Sequence, residues 1–81
     1  MTTYRVEYGD PFTVELQKPD EIVHILRSRH MNPGMSEEWF RKRLALEMCE
    51  WNGKPYYFGT NGKLAWSMIK NGLLVKIDSL S

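Results

Sequence analysis

Cysteine is nearly absent from this chain: Cys49 stands alone, so no intrachain disulfide can form. A chain with no disulfide framework fits a reducing compartment, and a cytoplasmic location is expected. Long apolar runs are also missing. The longest are three residues, such as Leu73-Leu74-Val75, against the roughly 20 needed to span a bilayer. The N-terminus, Met1 to Glu7, has no apolar core of the kind a signal peptide carries. Charge of one sign is lacking too: 11 basic and 10 acidic side chains leave a net +1. A global attraction to nucleic acid or to acidic membranes is thereby excluded, and any such attraction has to come from a local patch. There is no internal repeat, linker or low-complexity tract, and the chain reads as one domain, 1–81, and as a complete small gene product.

What the chain does have is apolar and aromatic residues enough for a packed core. Hydrophobic residues make up 42% and aromatics 12%, which argues against intrinsic disorder. Three Trp, four Tyr and three Phe supply large buried areas.

Residues 4–8 alternate, with Tyr4, Val6 and Tyr8 on one side and Arg5 and Glu7 on the other. Residues 12–17 alternate again, with Phe12, Val14 and Leu16 inward. Gly9-Asp10-Pro11 between them is a turn signal, so the two runs predict a hairpin. Lys18-Pro19-Asp20-Glu21 opens a helix, with proline and acids in its first turn, and Ile22, Val23, Ile25 and Leu26 as its apolar side. Asn32-Pro33-Gly34 breaks it. Ser36 caps a second helix that stops at Asn52-Gly53. Pro55 to Phe58 reads as a short strand, Gly59 to Gly62 as a turn, and Lys63 to Lys70 as a third helix closed by Asn71-Gly72. Leu73 to Ile77 is a last strand and Asp78 to Ser81 a tail. The expected fold is α+β: a small mixed or antiparallel sheet of about four short strands, in the order β-β-α-α-β-α-β, packed by three helices.

The second helix is the most informative segment. At about 100° per residue, Phe40, Leu44, Met48 and Trp51 fall within roughly 80° of one another and form a core stripe. Trp39 and Leu46 fall on a different side. A surface helix needs only one apolar stripe. Two readings account for the second: the helix is sandwiched between sheet and helix, or Trp39 and Leu46, with Lys42 and Arg43 beside them, form an exposed binding patch. Trp and Arg are among the residues enriched at interface hot spots. Such a patch would take another protein or a second copy of the chain.

Basic residues gather between positions 27 and 43. Arg27, Arg29, Arg41, Lys42 and Arg43, with His30, could contact phosphates, and Trp39 could stack on a base. Against this, Glu37, Glu38, Glu47 and Glu50 balance them, and Arg43 and Glu47 have the spacing of a helix-surface ion pair.

Catalytic and cofactor chemistry finds little support. Gly59-Thr60-Asn61-Gly62-Lys63 ends like a phosphate-binding loop, but Tyr57 stands where the first glycine belongs and Leu64 follows the lysine. His24 and His30 are six apart, not at a metal-binding spacing, and His24 is expected to pair with Asp20 or Glu21. Cys49 has no evident base to activate it. No catalytic residue, metal or cofactor is expected. The leading expectation is a non-catalytic protein-binding module, of the adaptor, inhibitor or immunity type and of phage or mobile-element origin, acting through Trp39, Lys42, Arg43 and Leu46. The alternative is a nucleic-acid-binding regulator using Arg27, Arg29, Arg41, Lys42 and Arg43.

Overall fold

A computed structural model describes residues 1–30 and 34–77. The break at Asn32-Pro33, the tail 78–81 and the side chain of His30 lie outside the described residues. The elements run β1 (Thr2–Val6), β2 (Phe12–Leu16), α1 (Glu21–His30), α2 (Glu37–Asn52), α3 (Asn61–Lys70) and β3 (Leu74–Lys76). This is a small α+β fold, with three helices and a three-stranded antiparallel sheet ordered β2-β1-β3.

The hairpin forms where the alternation predicts it, two residues earlier on its first strand. Val6 pairs with Phe12 and Tyr4 with Val14, so residues 7–11 make the loop, with Gly9 at φ 72°. That φ is left-handed, which glycine adopts without steric cost. Tyr8 leaves the sheet because its side chain is held elsewhere: its hydroxyl donates to Glu47 Oε2 at 3.1 Å and its ring meets Trp51 edge-on at 5.6 Å. The inner face of the sheet carries Val6, Leu16 and Leu74, all buried. They meet Ile22, Val23 and Leu26 of α1, Phe40, Leu44, Ala45 and Met48 of α2, and Leu64, Ala65 and Met68 of α3 in one cluster.

Local chemistry sets the helix ends. Before α1, Lys18 and Pro19 close a tight turn whose carbonyls accept from Glu21 and Ile22 at 3.1 Å, so the helix proper starts at Glu21. Ser36 Oγ accepts from Trp39 N at the start of α2, and Gly53 ends it at φ 72°, donating to Cys49 O. Helix α3 starts two residues earlier than its sequence suggests, because Thr60 is its N-cap and accepts from Lys63 N.

The expected strand at Pro55–Phe58 is not formed. Its backbone groups bond side chains instead of a neighbouring strand. Asn71 Nδ2 donates to Pro55 O, Tyr57 N donates to Ser67 Oγ, and Arg41 donates to Phe58 O and Gly59 O. Tyr56 is buried from this segment, while Tyr57 and Phe58 are exposed. Trp51, expected in the core stripe of α2, is 57% exposed. It has the right phase but sits in the last turn, where it meets the Tyr8 ring edge-on and borders an open groove.

Candidate functional site

The N-cap of α2 places Trp39 in the first turn, and the 3.6-residue period then sets the rest of the outward side. Leu46 lies seven residues on and Arg43 between them. Trp39 is 53% exposed and Leu46 56%. Neither is covered by sheet or helix, so the helix is not sandwiched. Lys42 and Arg43 are exposed beside them. The Lys42 ammonium sits 5.4 Å from the Trp39 ring centroid, within reach of a cation–π attraction. Arg43 Nε bonds Glu47 Oε1 at 3.3 Å, the expected ion pair one turn apart. A shallow groove of about 260 Å³ opens next to this surface, lined by Ser36, Glu38, Trp39, Lys42 and Phe58.

The five cations of the nucleic-acid alternative do not share one open surface role. Arg27 donates to Met35 O at 2.7 Å and holds the segment entering α2. Arg29 stacks over the Phe12 ring at 3.8 Å. Arg41 is a clamp: Nε donates to Phe58 O and Nη1 to Asn61 Oδ1, both at 3.0 Å. Arg43 is paired with Glu47. Lys42 is left beside Trp39, on the surface already described.

Reactive chemistry is sparse. Among the described residues no group of three His, Cys, Asp or Glu side chains could hold a metal ion. His24 pairs across the α1–α2 gap with Glu37, Nδ1 to Oε1 at 3.7 Å, and not with Asp20 or Glu21. Glu21 instead accepts from Gln17 N. The Asn61 side chain donates to Glu37, which holds that carboxyl below its ordinary value against a smaller desolvation effect, with help from His24, Arg27 and Arg41. Burial, the Glu47 charge and the bond to it push the Tyr8 phenol up to about 12. Burial also raises the Tyr56 phenol, against bonds from Asn52 and Asn71. Cys49 is free and half-buried. In the Gly59–Lys63 loop, Thr60 caps α3 and Asn61 joins Arg41 to Glu37, so these polar side chains hold protein groups.

Two aromatic clusters lie outside the residues proposed from the sequence as a site. At the C-terminal end of α2, Trp51, Tyr8, Phe12, Leu26, Gly9, Asp10 and Arg29 line a groove of about 380 Å³. On the outward side of α3, Trp66 (51% exposed) lies 6.1 Å from Tyr57 (63% exposed), their planes 34° apart. The period of α3 carried that signal: Leu64, Ala65 and Met68 share one side, and Trp66 falls on the other. Phe58 carried none, because in a strand it would share the inward side with Tyr56, and no strand forms there. No helix among the described residues is long and apolar enough to cross a membrane. No protein-family model, curated protein or solved structure matches the chain.

Proposed function

We propose that this protein is a non-catalytic binding module that docks another protein on the outward side of α2, through Trp39, Lys42, Arg43 and Leu46. The observation that carries the reading is the exposure of Trp39 and Leu46, 53% and 56%, on a helix whose opposite side already supplies Phe40, Leu44, Ala45 and Met48 to the core. These two side chains add little to the packing of the chain itself. Leaving a Trp half in water forgoes a large apolar burial, and interfaces recover such burial: Trp and Arg are enriched among residues whose truncation costs binding most. The adjacent groove gives a partner side chain a place to seat, between the Trp39 and Phe58 rings. Ser36, Glu38 and Lys42 give it a polar rim. An adaptor, inhibitor or immunity-type role in the cytoplasm is the form this takes. The lone cysteine supports the compartment, and the exposed Trp39 and Leu46 support the role.

The test is affinity capture from the native host with three baits: the wild-type chain, Trp39→Ala, and Leu46→Glu. A protein held by the wild type and lost from both variants, with melting temperatures within a few degrees of wild type, is the expected outcome. The same proteins held by all three baits would contradict the reading. A partner that turns out to be a second copy of this chain is detected by light scattering on the purified protein.

A further inference from the structure

The outward side of α3, together with Tyr57, is a second surface with chemistry of its own. The four lysines Lys54, Lys63, Lys70 and Lys76 fall in residues 51–77, and no Asp or Glu does. The first fifty residues carry nine acids and seven bases. The near-neutral chain is therefore two unlike parts, net −2 over residues 1–50 and net +4 over 51–77. Lys63, Trp66 and Lys70 stand at i, i+3 and i+7, so they share one side of α3, and all three are exposed. Lys63 and Lys70 are about 10 Å apart along the helix axis, with position 66 between them. The Lys70 ammonium lies 5.0 Å from the Trp66 centroid, and Tyr57 extends the ring surface on the adjoining segment. The segment is held in place by Ser67 and Arg41, so the two rings are positioned before any ligand arrives. Glu37, an α2 carboxylate that reaches the start of α3, is already shared between Asn61 and His24.

From this juxtaposition of paired exposed rings and flanking lysines, with no Asp or Glu among the described residues from 51 onward, we infer that the Tyr57–Lys63–Trp66–Lys70 surface binds single-stranded nucleic acid. Bases stack on the rings, which is favourable and largely indifferent to sequence, and the lysines neutralise the phosphates on either side. Complementarity of charge selects a polyanion. Complementarity of shape favours one that carries a flat ring at every repeat, as a nucleic acid does and an acidic peptide does not. A lipid surface would call for a broad apolar side to insert, and α3 exposes only Ile69 beside Trp66. Of the basic residues first singled out, Arg41 only holds the Tyr57 segment in place and Arg27, Arg29 and Arg43 take no part, so the inference stands or falls apart from the α2 surface.

The test is fluorescence anisotropy of a labelled oligo(dT) of roughly 12 nucleotides, titrated with the full chain at roughly 50 and 200 mM salt. Binding is expected to weaken as salt rises. Trp66→Ala should weaken it roughly ten- to a hundredfold, the loss of one stacking platform. The pair Lys63→Gln and Lys70→Gln should reduce the slope of log affinity against log salt by about 1.4, since each phosphate contact on a single strand contributes about 0.7. Trp39→Ala should bind like wild type. All substituted side chains are exposed, and a thermal melt of each variant confirms that it folds. Absence of binding at the lower salt would overturn the inference. So would binding that Trp66→Ala and the lysine pair leave unchanged, or that Trp39→Ala alone removes. Capture by phosphatidylserine vesicles without oligonucleotide binding, or a Trp66-dependent dimer without it, would assign the surface to a membrane or to a second copy instead.

Discussion

Arg41 does more structural work than any other charged residue in the described chain. Its guanidinium reaches from α2 to Phe58 O, Gly59 O and Asn61 Oδ1, and so fixes a segment that has no strand to pair with. Lysine cannot reproduce that fork, since its ammonium is a point donor on a flexible stem. Arg41→Lys should therefore lower stability by about 1–2 kcal/mol in a denaturant titration. The same substitution should alter the groove beside Trp39, because Phe58 is one of its walls. Glu37 gives a pH signature at the same scale. Its carboxyl is held below the ordinary 4.5 chiefly by the hydrogen bond from Asn61. A depressed folded value means that the charged form is favoured in the fold. The contribution is present above 4.5, where both folded and unfolded chains are ionised, and is lost as pH falls through the depressed folded value. Glu37→Gln should flatten the acid limb of a stability–pH curve and leave its neutral plateau with a constant offset.

At the scale of elements, helix ends were legible and the sheet edge was not. Ser36, Gly53 and the Asn71-Gly72 pair act on the nearest backbone groups, so their roles follow from sequence position alone. Gly53 shows how strictly. It sits at φ 72° with open space around the position a Cβ would occupy, so Gly53→Ala meets no neighbour and costs only the left-handed backbone, about 1 kcal/mol. A denaturant midpoint shifted by that amount, with an unchanged slope, is the expected reading. Residues 55–58 mislead for the opposite reason. Their aromatic residues suit a strand, but a strand also needs a neighbouring backbone, and here the partners are the side chains of Ser67, Arg41 and Asn71, from 10 to 17 positions away. Trp51 misleads similarly. A helical wheel gives direction, and coverage depends on what the rest of the chain places over that direction. The wheel likewise left Trp39 and Leu46 undecided between a second buried side and an exposed one, and only the packed helices decide that they are exposed.

Taken as a whole, the molecule builds one core from the inner side of a three-stranded sheet and one side of each helix, and leaves all three tryptophans more than half exposed. A chain with a modest core gains stability by burying such rings. That none of Trp39, Trp51 and Trp66 is buried is the property of the whole protein that a binding function explains best. Charge divides along the chain in the same sense. The outward side of α2 carries both signs around Trp39, which suits a protein partner, and the outward side of α3 carries only lysine around Trp66, which suits a polyanion. Both assignments rest on exposed rings that the core does not need. The most direct measurement is a calorimetric titration of the partner captured on the α2 surface against the wild-type chain and against Trp39→Ala, with thermal melts of both. The account predicts that Trp39→Ala loses about 2 kcal/mol or more of binding, roughly thirtyfold or greater, while its melting temperature stays within a few degrees of wild type. Unchanged affinity, or a melting temperature that collapses with the substitution, would contradict it.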